Sequence, residues 1–191
     1  AYAYSSSLTT NLFVAINAEP NQVSSPAVFS GPTQRYIQMD IASDGETAYI
    51  TGQTAGQVQV LSLADPTAPT LLNTVDVGAE PWHPQLSADG ETLYFGSKAT
   101  NTVYAMNTET FDTTTIEGEG LAQPHGSALS PNGQVLYISN NNLNGTYTPS
   151  LGENVGTVVA IDTQTDEIQA VIEVGANPAG INSRWQPSEG E

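Results

Sequence analysis

One eight-residue phrase recurs along the chain and constrains the fold more than any other feature. Ser-Asp-Gly-Glu-Thr-Ala-Tyr-Ile (43–50) returns as Ala-Asp-Gly-Glu-Thr-Leu-Tyr-Phe (88–95) and as Pro-Asn-Gly-Gln-Val-Leu-Tyr-Ile (131–138). The Asp/Asn-Gly pairs begin at 44, 89 and 132, so the steps are 45 and 43 residues. A fixed period in this range belongs to stacked or radially arranged units, each too small to bury its own apolar face alone.

Within a repeat the residues alternate with period two and are rich in Val, Ile, Thr and Tyr, the pattern of half-buried strands. The last full repeat reads as strands over 126–130, 135–140, 157–162 and 168–174, closed by Gly175. The repeat before it reads as 85–87, 92–97, 102–107 and 113–117, and the one before that as 36–42, 47–51, 57–63 and 70–77. The Asp/Asn-Gly pairs are expected to supply the positive backbone angles of tight hairpins. Four short antiparallel strands per repeat of this length predict an all-β chain, a β-propeller of four-stranded antiparallel blades.

The two ends complement each other. Residues 2–6, 12–17 and 22–29 read as second, third and fourth strands, and 177–181 (Asn-Pro-Ala-Gly-Ile) matches the start of a first strand. The expected organisation is one propeller domain over 1–191, with blades at 1–34 plus 177–185, 35–79, 80–120 and 121–176. In this reading the trailing strand pairs with 2–6 and closes the ring, which removes exposed sheet edges. The alternative is that the four blades are part of a larger propeller.

Charge narrows the partners. Twenty acidic residues face three basic ones, Arg35, Lys98 and Arg184, for a net charge of -17. Phosphate contacts need Lys and Arg, so nucleic acid is excluded as a partner, and anionic lipid is disfavoured. The acids are scattered, as on a solvating surface, and salt would weaken their mutual repulsion, which suits a saline or halophilic setting. With no cysteine, disulfides, thiolate catalysis and Cys-ligated metals are ruled out. No apolar run approaches the length of a membrane-spanning helix.

The phrases resemble the surface-layer-type propeller repeats named after a Tyr-Val-Thr-Asn (YVTN) motif. The match is best over Pro124-His125-Gly126, Ser130-Pro131-Asn132-Gly133, Leu136-Tyr137-Ile138-Ser139-Asn140, Val158-Val159-Ala160-Ile161-Asp162-Thr163 and Val174-Gly175. It extends over 35–181 and more loosely over 1–34. The resemblance implies a propeller fold and an extracytoplasmic surface or binding protein. Related propellers include lactonases, haem-d1 enzymes and quinoprotein dehydrogenases.

Two places carry candidate site chemistry. Pro81-Trp82-His83, Pro124-His125-Gly126 and Pro178-Ala179-Gly180 occupy equivalent loops between a fourth strand and the next first strand, so both histidines fall at one rim. Histidine serves as metal ligand or general base near neutral pH. Two histidines need a third ligand, such as Glu80, to hold a metal, and the alternative is a rim satisfied by local hydrogen bonds. The second place is the 140–156 connection, longer than its counterparts at 98–101 and 54–56. Its Asn140, Asn141, Asn142, Asn144 and Tyr147 suit sugar or peptide contacts, or else form an Asn/Gly-rich turn cluster. Asn144-Gly145-Thr146 fits the glycosylation pattern.

No serine elbow, Walker loop or dinucleotide glycine pattern is present. The expectation is a non-enzymatic, extracytoplasmic module that binds a protein or polymer through Trp82, His83, His125, Asn140, Asn141, Asn142 and Tyr147, or serves as a subunit of a larger assembly. It assigns no catalytic residue, metal or cofactor. The alternatives are a metal-dependent lactonase-like hydrolase and a propeller carrying a redox cofactor.

Overall fold

A computed structural model describes residues 1–19, 21–24, 26–78 and 80–183. They form sixteen strands in four antiparallel sheets. The first sheet holds β1 (Tyr2–Ser6), β2 (Leu12–Asn17), β3 (Gln22–Val23) and β4 (Ala27–Val28). The second runs β5 (Tyr36–Ile41), β6 (Thr47–Gly52), β7 (Gln57–Ser62) and β8 (Thr70–Asp76). The third runs β9 (Pro81–Leu86), β10 (Thr92–Ser97), β11 (Thr102–Asn107) and β12 (Thr113–Ile116). The fourth runs β13 (Pro124–Leu129), β14 (Val135–Asn140), β15 (Val155–Asp162) and β16 (Ile168–Ala176). In each complete sheet the strands pair in chain order, as a propeller blade requires. The chain divides into two compact units, Ala1–Leu86 and Ser87–Glu191, which are taken separately below.

Each unit has its own core. In the first, Phe13, Phe29, Tyr36, Ile50 and Leu61 pack together. In the second, Tyr94, Val103, Leu136, Ile138, Val159 and Ile161 do so. Ile50, Leu61 and all six residues of the second core lie on β6, β7, β10, β11, β14 and β15, the middle strands predicted from the repeat, while Phe13 comes from β2, Tyr36 from the start of β5 and Phe29 from the segment after β4. Full burial of such side chains contributes about 1.5–3 kcal/mol each, an upper estimate for a compact unfolded state.

Four expectations change in detail. The Asp/Asn-Gly hairpins are not two-residue turns. Gly45, Gly90 and Gly133 have φ of 73°, 78° and 71°, while Asp44, Asp89 and Asn132 are not among the positive-φ residues. Each Gly N–H donates to a carbonyl three residues back, those of Ala42, Ser87 and Ser130. The turn is therefore type I, with a left-handed Gly after it, in a longer loop. The acidic or amide side chain accepts from the N–H two residues on: Glu46 at 2.8 Å, Glu91 at 3.0 Å and Gln134 at 3.2 Å. The hydrogen bond from the Ser87 hydroxyl, then that from Glu91 N, holds the Asp89 carboxyl below the usual range.

The fourth strand expected over 22–29 is split into β3 and β4, both paired with β2. Pro26 lies between them and has no N–H for the ladder. The break is partly bridged by Ser24, whose N–H donates to Ala15 O at 2.8 Å and whose Oγ accepts from Ala15 N at 3.1 Å.

The inner strands β9 and β13 start earlier than expected, at Pro81 and Pro124. Trp82, His83 and His125 therefore lie on strands, not in loops. Proline is tolerated as the first residue of a strand, and Pro84 is tolerated because β9 is the edge of its sheet.

The trailing segment forms no strand over 178–183. Ser139 Oγ donates to Ala179 O at 3.3 Å and Asn141 Nδ2 to Pro178 O at 2.7 Å, so it rests against β13–β14. Gly126 makes room for it, since a Cβ there would sit 2.8 Å from Ala179 O. Residues 184 and 185 of the expected closing strand lie outside the described residues. Among the described residues, the ladder partner of β1 is β2.

Candidate functional site

The residue before each of the inner strands β5, β9 and β13 has a left-handed backbone, Arg35 (φ 51°), Glu80 (53°) and Gln123 (57°), and so does Asn177 (51°) before the trailing segment. None is glycine, and such conformations cost of order 1–3 kcal/mol each. The geometry extends the ladder beyond the strands. Gln53 N donates to Arg35 O (3.1 Å) and Thr54 N to Gln34 O (3.0 Å). In the fourth sheet Asn141 N donates to Gln123 O (3.2 Å) and Asn142 N to Ala122 O (2.9 Å). The lead-in to the first strand is thus clamped to the loop leaving the second. Gln53, Lys98 and Asn141 each directly follow the second strand of their sheet, at its loop-bearing end.

The asparagines expected to contact a ligand are consumed internally. Asn140, Asn141 and Asn142 are 0%, 2% and 2% exposed. Asn140 Oδ1 accepts from Ala122 N, and its Nδ2 donates to Ile138 O. Asn141 Oδ1 accepts from Lys98 Nζ at 2.7 Å, while its Nδ2 holds Pro178 O. Asn142 Nδ2 donates to Tyr147 O and Val155 O, both at 2.9 Å, and its Oδ1 accepts from Tyr147 N at 3.0 Å. These side chains shape the 141–154 loop.

A residue not singled out in the sequence completes the loop. Glu173 on β16 accepts from Tyr147 OH (3.1 Å), Ser150 N (2.7 Å), Ser150 Oγ (3.1 Å) and Leu151 N (2.8 Å). These donors, the Ser150 N–H first, hold its carboxyl below the ordinary range. The loop so fixed presents Leu143 (61% exposed) and Leu151 (72% exposed). Tyr147 lines an open groove of about 800 Å³ between β12 with its following turn and 166–171. Glu117, Glu119, Asp166 and Glu167 make that groove acidic. Burial pushes the Asp166 carboxyl up, against the hydrogen bond from Tyr94 OH at 3.5 Å.

Trp82 and His83 are half-buried neighbours on β9 in the first unit, with ring centroids 6.0 Å apart. His125 is half-buried on β13 in the second unit. Among the described residues, no group of three or more His, Cys, Asp or Glu is placed to hold a metal.

The first unit holds a second cavity that the sequence did not single out, of about 440 Å³. Arg35, Gln53, Gly56, Asp76, Gly78 and Glu80 line it. The signal available in the sequence was Arg35 itself, one of only three cationic side chains in the chain.

No family model matches the chain, and no curated protein matches it. Many solved structures are similar in fold. Hydrazine synthase of Kuenenia stuttgartiensis is 16% identical with a TM-score of 0.72, over 86% of this chain and 44% of that one. The periplasmic gluconolactonase of Pseudomonas aeruginosa is 21% identical with a TM-score of 0.70, over 93% of this chain and 52% of that one. Virginiamycin B lyase of Staphylococcus aureus is 14% identical with a TM-score of 0.69, over 95% of this chain and 59% of that one. This chain spans about half the length of these proteins. At such identities the likeness concerns the fold, and the four sheets are blades of a β-propeller.

Proposed function

We propose that the chain is an extracytoplasmic propeller module that holds a protein or polymer partner through its loop-bearing rim. The observation that carries the reading is the 141–154 loop. It is ordered from within by Asn142 and Glu173, and it brings Tyr147 to an acidic groove of about 800 Å³. A loop held in place before binding loses less conformational entropy when it binds. An aromatic ring beside polar groups is a common interface anchor. The groove's carboxylates favour a partner that is basic where it meets them. The resemblance to surface-layer-type repeats supports the extracytoplasmic placement, as does the fold shared with a periplasmic protein.

The test is fluorescence anisotropy with labelled hexalysine and hexaglutamate. Hexalysine binds and weakens with salt; hexaglutamate does not bind. Tyr147→Ala combined with Glu119→Gln weakens hexalysine about tenfold, or about 1.4 kcal/mol. The control is Glu46→Gln in a hairpin turn, which removes the same single charge elsewhere. Equal losses in the two variants would mean that net charge alone attracts the peptide, and the groove reading would fall.

A further inference from the structure

The cavity beside Arg35 lies wholly within the first unit and is separate from the groove at Tyr147. We infer that it binds the zwitterionic head of an α-amino acid or dipeptide, with the carboxylate on Arg35 and the ammonium toward Asp76, Glu80 and the Gln53 carbonyl.

The walls are fixed by backbone. Val77 N donates to Gly56 O at 2.9 Å, and a Cβ on Gly56 would lie 2.4 Å from Gly78 O. The loop after β6 and the segment after β8 therefore meet main chain to main chain. Arg35 and Glu80 are held left-handed at φ 51° and 53°, which sets where their side chains depart. Asp76 is oriented by a relay in which Gln34 Nε2 donates to Gln57 Oε1 (2.7 Å) and Gln57 Nε2 to Asp76 Oδ1 (2.8 Å).

The polar groups are left over, and they ask for particular chemistry. Gln53 is 8% exposed, and its buried Oε1 accepts no hydrogen bond among the described residues. A buried acceptor without a donor is costly, and a ligand N–H would relieve it. Arg35 and Asp76 are exposed and Glu80 is half-buried, so the cavity wall carries one cation and two acids open to solvent. A simple anion would meet Asp76 and Glu80, and a simple cation would meet Arg35. A ligand with an N–H-bearing cation and a carboxylate a few ångströms apart satisfies all four groups. A guanidinium and a carboxylate form strong charge-assisted pairs, and so do an ammonium and a carboxylate. The volume of about 440 Å³ falls at the lower end for small-molecule sites and suits a ligand of one or two residues.

Calorimetric titration of the whole chain with L-alanyl-L-alanine tests this. Three analogues remove one feature each: the N-acetyl form lacks the ammonium, the C-terminal amide lacks the carboxylate, and the N-trimethyl form keeps the positive charge without an N–H. The dipeptide saturates, and each analogue binds at least about tenfold more weakly. Arg35→Gln abolishes the preference for dipeptide over its amide, and Glu80→Gln reduces the preference over the N-acetyl form. Because Arg35 is backbone-strained, wild-type amide chemical shifts are mapped as well, and those of 35, 53–56 and 76–80 move. Absence of saturable dipeptide binding up to about 10 mM would overturn the inference, as would shifts confined to other residues or equal affinity for all four ligands.

Discussion

Replacing Asn142 should loosen the 141–154 loop without unfolding the blades. The side chain makes three hydrogen bonds, to Tyr147 O, Val155 O and Tyr147 N, at 2.9, 2.9 and 3.0 Å. At about 0.5–1.5 kcal/mol each, their loss in Asn142→Ala is worth about 1.5–4.5 kcal/mol. Asn142 also has φ 53°, a conformation that asparagine tolerates and alanine does not, which adds about 1 kcal/mol. The loss falls on the loop, because the strands on either side keep their ladders. The loop's opening equilibrium should then rise by at least about tenfold, the factor for 1.4 kcal/mol.

Amide hydrogen exchange read by mass spectrometry resolves this, comparing fragments covering 143–154 with fragments from β14 and β15. Asn142→Gly separates the two contributions, since it keeps the backbone conformation and removes only the side-chain bonds. Asn142→Asp retains the acceptor for Tyr147 N but turns both donations into contacts of a buried carboxylate with the Tyr147 and Val155 carbonyl oxygens. Loop exchange should be faster than wild type in all three variants, and faster in Ala than in Gly. Loop exchange within about twofold of wild type in both Ala and Gly would refute the account, the range in which such substitutions away from structural contacts fall. Equal acceleration of loop and strand fragments would refute it as well.

Other perturbations follow from the same geometry. The melting temperature should climb between low salt and about 1 M, where the screening length falls to about 3 Å, and a flat curve would mean that the acids are compensated locally. Gly45→Ala meets nothing within 4 Å and loses only the left-handed backbone preference, about 1 kcal/mol, whereas Gly56→Ala drives its Cβ to 2.4 Å from Gly78 O and should cost clearly more by denaturant titration. The Asp166 carboxyl is raised by burial, so its destabilising effect is absent below the ordinary carboxyl range and grows as pH rises through the folded value; Asp166→Asn should raise the melting temperature at pH 7 and not at pH 3. The Glu173 carboxyl is lowered, so the loop contacts it supports are present above the usual glutamate range and lost as pH falls through the folded value, which loop exchange in acid would show.

The sheets were legible because the recurring phrase and its Val, Ile, Thr and Tyr richness mark the middle strands, although β6, β7 and β10 are buried on both faces and not on alternate residues. Ile50, Leu61, Leu93, Leu136 and Ile161 are fully buried on the middle strands. The strand starts were less legible. Proline reads as a breaker, yet Pro81 and Pro124 open strands whose outer side needs no N–H. The hairpin phrase located the turns correctly and misassigned their type, because Asp-Gly fits both a two-residue turn and a type I turn ending in a left-handed glycine. Pocket residues such as Gln53 were invisible for a different reason. Their distinction is an unmet hydrogen bond, which depends on what the fold brings near them.

The Asn140-Asn141-Asn142 run shows how a recognition-like sequence can be a folding device. The connection from β14 to β15 is longer than its counterparts, and a longer loop leaves more backbone groups outside any ladder. Asparagine offers a donor and an acceptor on a short stem and tolerates left-handed backbone, so it can take the place of missing strand partners. Asn140 and Asn142 do this, supplying ladder-like bonds to Ala122, Tyr147 and Val155. Asn141 spans farther, joining Lys98 to the Pro178 carbonyl. Under the proposed binding role, contact falls to what these amides position, Tyr147 and the exposed Leu143 and Leu151, because the amides themselves are buried. Substitutions of the asparagines should therefore act on binding through loop order. Tyr147→Ala should reduce binding with Asn142 still in place, and restoring loop order in an Asn142 variant, for example by a cross-link across the loop, should restore binding.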